Sequence, residues 1–119
     1  MRTEILTDAG IVIVHPEQKL TAEDFQELTK KVDPIIEERG GLTGLMIDAE
    51  TFPGWEDFTG FAEHVKFVKD HQKHILRVAI VVDGSIVSKL PAMANHFVEA
   101  EIRHFSRADR DSALAWLRA

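Results

Sequence analysis

A group of acidic side chains and a group of histidines are the residues of this chain whose types and spacing could support catalysis or metal binding. The acidic residues Asp48, Glu50, Glu56 and Asp57 surround the end of a short apolar run, and the carboxyl end of a strand is the usual place for an α/β active site. Two carboxylates divide acid and base roles only when their environments separate their pKa values. Glu56 and Asp57 equally suit the first turn of a helix, whose dipole they complement. Since the chain has no nucleophile elbow, phosphate-binding loop or dinucleotide fingerprint, we predict that it is not an enzyme.

The histidines His64, His71 and His74 are spaced so that a helix would bring their imidazoles together on one face. A zinc site needs three or four ligands with ordered partners around them. Because the chain contains no cysteine and no His-Glu-x-x-His motif, we predict neither a metal site nor a cofactor. An unperturbed histidine changes charge near neutral pH, so this group would strengthen an anionic contact as the pH falls.

Composition and charge indicate one ordinary globular domain over residues 1–119, with 45% hydrophobic and 29% charged residues. The net charge of −6 argues against attraction to nucleic acid or to a whole anionic membrane face. The first residues lack the apolar run of a signal peptide, and no stretch approaches the roughly 20 apolar residues of a membrane span. We therefore expect a cytoplasmic protein without a nucleic-acid partner, peripheral at a membrane if it meets one at all.

Hydrophobic patterning predicts the elements that must position these residues, and the first helix is the most clearly marked. Thr21 stands three residues before Asp24, as in a capping box, and an apolar stripe follows over residues 25–36. The helix should end at Gly40, because glycine is the commonest residue just after a helix. Pro34 lies inside the stripe and predicts a bend or a break into two pieces.

The remaining elements alternate between strand and helix. They are strands over residues 4–6, 11–15, 44–48, 76–83 and 100–105, and helices over about 57–72, within 84–97 and after Ser106. The first two strands predict a hairpin, and the apolar strand over 76–83 is expected to be central. The order ββαβαβαβα predicts an α/β fold, with a mixed, mostly parallel five-stranded sheet flanked by about four helices.

The last third of the chain resembles the SpoIIAA-like family, whose members are related to STAS domains. The resemblance rests on the strand VAIVVDGS, on the strand EIRHF and on the Ala-x-x-Trp-Leu pattern that ends at Leu117. It implies the same fold over essentially the whole chain. STAS domains that regulate anti-sigma factors bind a partner kinase and are switched by phosphorylation of a serine after a strand. Here Ala49 follows Asp48 at the matching position, so the resemblance implies an interaction module without the usual phosphoserine.

A second implication of the resemblance concerns lipids, because SpoIIAA-like proteins resemble the CRAL-TRIO lipid-binding fold, in which the corresponding helix can lift away from an apolar cavity. The helix over 57–72 has an apolar stripe that should face the sheet; its members are Phe58, Phe61, Ala62, Val65 and Val68. We predict that this helix is a movable lid over an apolar site. The residues predicted to line the site are Trp55, Phe58, Phe61 and Val65.

Basic residues on the same helix predict the chemistry of the ligand. Phe67 falls on the face opposite the apolar stripe and is expected to be exposed, with Lys66 and Lys69 nearby. An apolar anchor with neighbouring cations is what a membrane surface or an anionic head group requires. The leading hypothesis is a non-catalytic module that binds an amphiphile or a membrane surface. The alternatives are a homodimer through Phe67, a helix with only a structural role, and a regulatory protein that docks near residues 48–51.

Overall fold

Five strands form one sheet in the computed structural model, which describes residues 1–50, 54–83 and 100–119, apart from the side chains of Phe58 and Phe61. The antiparallel hairpin of β1 (Arg2–Leu6) and β2 (Ile11–His15) is followed by parallel strands, which are β3 (Leu42–Ala49), β4 (Ile75–Val82) and β5 (Glu101–Phe105). The strands lie in the order β1-β2-β3-β4-β5. The predicted α/β fold with a mixed, mostly parallel sheet is confirmed, but β3 lies in the middle instead of β4.

Three α-helices are present in the described residues, namely α1 (Ala22–Arg39), α2 (Phe58–His71) and α3 (Arg110–Arg118). One 3-10 helix, Gln72–His74, follows α2, and another, Arg107–Asp109, precedes α3. The helix predicted within residues 84–97 lies outside the described residues. In the ranges that the structure describes, no helix has the length and hydrophobicity that crossing a lipid bilayer requires.

Local hydrogen bonds define the two ends of α1. The Thr21 hydroxyl accepts a hydrogen bond from the Asp24 amide at 3.2 Å, and the Asp24 carboxylate accepts one from the Thr21 amide at 2.9 Å. These two bonds confirm the capping box. Gly40 ends the helix with a φ of 83°, a left-handed conformation that glycine adopts without strain.

Pro34 does not divide α1 into two helices. The element is continuous from Ala22 to Arg39, although an internal proline costs about 3 kcal/mol because it removes one hydrogen bond and crowds the preceding turn. Phe25, Leu28 and Val32 are buried before the proline, and their burial outweighs this cost. Of the two predicted effects of Pro34, the break is therefore wrong, and the bend stays a prediction.

Apolar residues cover both faces of the sheet. The first face packs against α1 and α2 and includes Val12, Leu45, Val78 and Ile80. The second face packs against α3 and includes Ile11, Ile13, Met46, Ala79 and Val81. Because β2, β3 and β4 have apolar residues on both faces, their sequences are continuous apolar runs, as is typical of covered strands.

The helix α3 lies close to the middle of the sheet. Ala113 and Leu117, which are four residues apart on one face of α3, are fully buried there. A Cβ atom at Gly44 would lie 2.8 Å from Cδ2 of Leu117. The absence of a side chain at Gly44 is therefore what lets α3 approach β3 this closely.

The buried face of α2 is shifted from the one that its sequence predicts: Val68 of the predicted stripe is 4% exposed, and its neighbour Phe67 is buried as well. Phe67 is only 6% exposed, whereas Ala62 on the predicted inner stripe is exposed. The prediction that Phe67 faces water is wrong. The physical reason is that α2 packs against α1 as well as against the sheet, with the rings of Phe67 and Phe25 6.4 Å apart. A helical wheel considers one buried direction only, so it misses the contact with a second helix.

Candidate functional site

A groove of about 250 Å³ lies between α1 and α2. Phe25, Phe67 and His71 form its buried floor. The rim consists of exposed or half-buried polar residues from both helices, which are Gln26, Thr29, Lys30, Glu63, Lys66 and Asp70. The groove thus has an apolar floor below a charged rim, and its volume is slightly below the roughly 300–1,000 Å³ of sites that enclose drug-sized ligands.

Aromatic rings continue from the floor of the groove toward the segment before α2. The ring centroid of Phe67 lies 4.2 Å from that of His71 and 6.4 Å from that of Phe25. The His64 ring lies 5.4 Å from the rings of both Phe25 and Trp55. This row of rings extends from the groove to Trp55, which is not itself one of the residues that line the groove.

The structure brings two of the predicted site residues together. Lys66 is on the rim of the α1–α2 groove and Phe67 is on its floor, which places Phe67 inside the groove and not on the outer face of the helix. Lys69 is exposed and lies outside the groove, and Val65 is half-buried. Trp55 is half-buried and pairs with Leu20 in an isolated β-bridge. The side chains of Phe58 and Phe61, predicted to line the apolar site, lie outside the described part of the chain.

His71 links α2 to α1 and is 5% exposed. Its Nδ1 is hydrogen-bonded to the Phe67 carbonyl at 2.8 Å, and its Nε2 lies 2.8 Å from a carboxylate oxygen of Asp33. Of the three histidines expected to share an outer face, only His74 is exposed, since His64 is half-buried. The prediction of a solvent-facing histidine group is therefore wrong, because the face concerned packs against α1.

A second polar cluster lies at the carboxyl ends of β2 and β3. Asp48 is 4% exposed and accepts hydrogen bonds from Nε of Arg110 at 2.8 Å and from Nε of Arg107 at 3.4 Å. His15 lies between two carboxylates, with Nδ1 3.6 Å from Asp48 and Nε2 hydrogen-bonded to Glu4. We call Glu4, His15, Asp48, Arg107 and Arg110 the Asp48 cluster.

The Asp48 cluster neutralises a buried carboxylate and thereby fixes the start of α3 to the sheet. Arg110 is the first residue of α3, and Arg107 begins the 3-10 helix before it. Both cations are engaged with Asp48, so the geometry shows charge compensation instead of a general acid or base held ready for a substrate. Sequence reasoning identified Asp48 alone. The strand register could have revealed His15, because residues 14 and 47 are opposite each other and residues 15 and 48 come next.

The other carboxylates proposed from the sequence have separate positions. Asp57 caps α2, accepting a hydrogen bond from the Gly60 amide at 2.9 Å, which is the structural role that its place before a helix indicates. Glu50 and Glu56 are exposed. In the described ranges, no group of three histidine, aspartate or glutamate side chains is arranged to hold a metal ion.

Glu4 links the Asp48 cluster to the pH dependence of stability. The hydrogen bond from His15 holds the pKa of Glu4 below its ordinary value of 4.5, and the charges of His15, Arg2 and Arg110 act in the same direction, while desolvation opposes them. A depressed pKa in the folded state stabilises the protein above the unfolded-state pKa, and this stabilisation is lost as the pH falls through the folded-state pKa.

We expect Glu4→Gln to be less stable than the wild type at about pH 7, and the difference to shrink as the pH is lowered toward about 3, because the wild-type carboxylate gains its proton as the pH falls through its folded-state pKa. Urea unfolding at both pH values measures this difference. Glu38→Gln, which changes an exposed carboxylate on α1, is the matched control and should show no comparable trend. An equal deficit of Glu4→Gln at both pH values would contradict the prediction.

The fold and the groove define a class of protein, namely a small α/β domain with a STAS-type sheet and a solvent-facing groove between two helices. Residues 11–118 match the family model described as SpoIIAA-like, and the chain belongs to the SpoIIAA-like family. The family predicted from the final strand and helix is thus confirmed, while the likeness to CRAL-TRIO domains stays a prediction.

A solved structure supports the same assignment. The crystal structure of an uncharacterized protein of the DUF3478 family from Shewanella loihica PV-4, which has a SpoIIAA-like fold, is similar with a TM-score of 0.73 and 26% sequence identity. The similarity covers 98% of this chain and 90% of that chain. A comparison with curated proteins found no match.

Proposed function

We propose that this chain is a non-catalytic binding module that holds a small amphiphile in the α1–α2 groove. The observation behind the proposal is the combination of buried Phe25 and Phe67 on the floor with exposed Lys30 and Lys66 on the rim. Apolar parts of a ligand gain from contact with the rings. The lysines supply charge-assisted hydrogen bonds for an anionic head group at the mouth of the groove.

The alternative hypothesis is a regulatory protein that docks near residues 48–51, and it has weaker support than the groove. The Asp48 carboxylate is buried against Arg107 and Arg110, and Ala49 is 6% exposed. A partner approaching this edge would meet Glu50 instead, and neither Asp48 nor Ala49 offers a hydroxyl group. Direct contact with a membrane is the other extension of the proposal, since Lys66 and Lys69 of α2 and Lys73 of the following 3-10 helix are exposed.

Octanoate is a suitable probe, because it joins a short alkyl chain to one carboxylate. We expect Thr29→Trp, which places a large side chain on the groove wall, to weaken octanoate binding measured by calorimetry. Each buried CH₂ group contributes about 0.8 kcal/mol, so displacing two of them lowers affinity about tenfold. Glu38→Trp introduces the same side chain at an exposed position of α1 outside the groove and should bind like the wild type. Equal binding by both variants would contradict the proposal.

A second pair of variants separates the groove from a membrane surface. Lys66→Glu should weaken binding of octanoate, whereas Lys69→Glu should not, because Lys66 lies on the rim of the groove and Lys69 does not. Binding to anionic vesicles would instead depend on both lysines, since both are exposed on α2. If vesicle binding falls equally in both variants and octanoate binding is unchanged, the groove proposal is contradicted and contact with a membrane surface becomes the supported function.

A further inference from the structure

The contact between His71 and Asp33 joins the two walls of the groove. His71 belongs to α2 and is part of the groove floor, while Asp33 belongs to α1. The Nε2 atom of His71 lies 2.8 Å from the Asp33 carboxylate, and its Nδ1 atom lies 2.8 Å from the Phe67 carbonyl oxygen. The imidazole is also stacked on the Phe67 ring, with centroids 4.2 Å apart. His71 therefore adds a polar contact between the two helices to the apolar contact of Phe67 with Phe25.

Both ring nitrogens of His71 face hydrogen-bond acceptors. A carbonyl oxygen has no proton to donate, and an ionised carboxylate accepts only. An imidazole that satisfies both contacts must donate from both nitrogens, which requires two protons and a positive charge. The stack on Phe67 suits that charge, because a cation is attracted to the face of an aromatic ring.

An imidazole with one proton cannot keep both contacts. Whichever nitrogen has lost its proton then directs a lone pair at an oxygen 2.8 Å away, and two acceptors at this distance repel each other. The contact with Phe67 lies within one helix, since the two residues are one turn apart on α2. The contact with Asp33 is the one that opening of the helices can relieve.

Other charged groups surround this contact on each element packed against it. Lys30 stands on α1, and Glu63, Lys66 and Asp70 stand on α2, all of them lining the groove. The 3-10 helix that follows α2 exposes Lys73 and His74 to solvent. Asp33 is the carboxylate whose oxygen contacts the His71 ring in the described structure.

We propose that His71 and Asp33 form a proton-dependent latch across the α1–α2 groove. With two protons on His71 the latch is closed and the groove keeps its present width; loss of one proton releases α2 from α1 and lets the groove widen around a ligand. The inference rests on the proposed function and adds its regulation. A ligand that prefers the wider groove shifts the population toward the open form by its difference in affinity.

The first test observes the proton directly. Long-range ¹H–¹⁵N NMR distinguishes a protonated ring nitrogen from a bare one, and it should show both His71 nitrogens protonated at the acidic end of a pH series and one at its alkaline end. This measurement needs no ligand. A His71 ring that keeps the same number of protons through the whole pH series would overturn the latch.

The second test measures how the latch affects binding. N-phenyl-1-naphthylamine is an uncharged fluorescent probe, so its affinity does not follow the charge of the groove directly. We expect it to bind the wild type about tenfold more tightly at about pH 8 than at about pH 5.5, the lower end of what a hydrogen bond to a charged group contributes.

Two variants of Asp33 should each remove this pH dependence, one by making binding weak at both pH values and the other by making it tight at both. Asp33→Asn can donate to a bare Nε2 or accept from a protonated one, so the latch stays closed and binding is weak at both pH values. Asp33→Ala has no latch, so binding is tight at both. Glu37→Gln, which alters an exposed carboxylate on α1, should keep the wild-type pH dependence.

The possible outcomes distinguish failure of the latch from failure of the proposed binding function. Tight binding with no dependence on pH, and no difference among the Asp33 variants, would overturn the latch and leave the groove function standing. A complete lack of probe binding by the wild type and by Asp33→Ala would overturn both. Weak binding by Asp33→Asn and tight binding by Asp33→Ala, with the pH dependence abolished in each, is the result expected from the latch.

Discussion

Replacing Phe67 with alanine is expected to lower the free energy of unfolding by about 3–5 kcal/mol, the usual cost of removing a buried phenylalanine side chain. Phe67 is 6% exposed and contacts Phe25 and His71 at the interface of α1 and α2. Its loss would leave a cavity where the two helices meet, and the same change removes half of the apolar floor of the groove. Urea unfolding monitored by circular dichroism measures the loss of stability.

Val65→Ala is the matched control on the same helix. Val65 is half-buried, so its truncation should cost about 1 kcal/mol or less. The order of these two effects decides which face of α2 is packed. A larger loss of stability from Val65→Ala than from Phe67→Ala would indicate the orientation of α2 that the helical wheel predicts and would contradict the burial of Phe67.

Replacing Arg110 with methionine should also be strongly destabilising, because it leaves the Asp48 carboxylate buried with fewer partners. Removing one partner of a fully buried ion pair costs about 3–5 kcal/mol. Arg107 and His15 remain beside Asp48, and the Arg110 side chain is 34% exposed, so we expect a loss of about 2–3 kcal/mol. Thermal or urea unfolding of the variant tests this value.

A double variant separates loss of the ion pair from loss of packing. Asp48→Leu combined with Arg110→Met replaces the pair by apolar side chains and should recover much of the stability that Arg110→Met loses. Arg118→Met, at an exposed position on α3, should change stability by no more than about 0.5 kcal/mol. If Arg110→Met proves as mild as Arg118→Met, the Asp48 cluster does not anchor α3.

The strands and the first helix could be predicted because their signals are local. Thr21 and Asp24 are close in sequence, and the apolar runs of β2, β3 and β4 identify covered strands whatever packs on them. The closing helix likewise shows its buried side through the spacing of Ala113 and Leu117. Each of these inferences depends on residues within a few positions of one another.

The α1–α2 groove and the Asp48 cluster could not be predicted in the same way, because each is made of residues distant in sequence. The groove depends on the rotation of α2 about its axis, which is set by the contact of Phe67 with Phe25 on another helix. The Asp48 cluster joins Asp48 to Arg107 and Arg110 from the far end of the chain. Charge and hydrophobicity singled out the segment of Lys66 and Phe67, which lines the groove, but the direction in which Phe67 points needed the tertiary contact.

Chemical-shift mapping is the most direct test of ligand binding in the α1–α2 groove. Octanoate would be added to the ¹⁵N-labelled protein while the backbone amide signals are followed. Binding in the groove should shift the signals of Gln26, Thr29, Lys66 and Asp70, which line it, and leave those of the Asp48 cluster unchanged. Absence of any shift, or shifts confined to the Asp48 cluster, would contradict the proposed function.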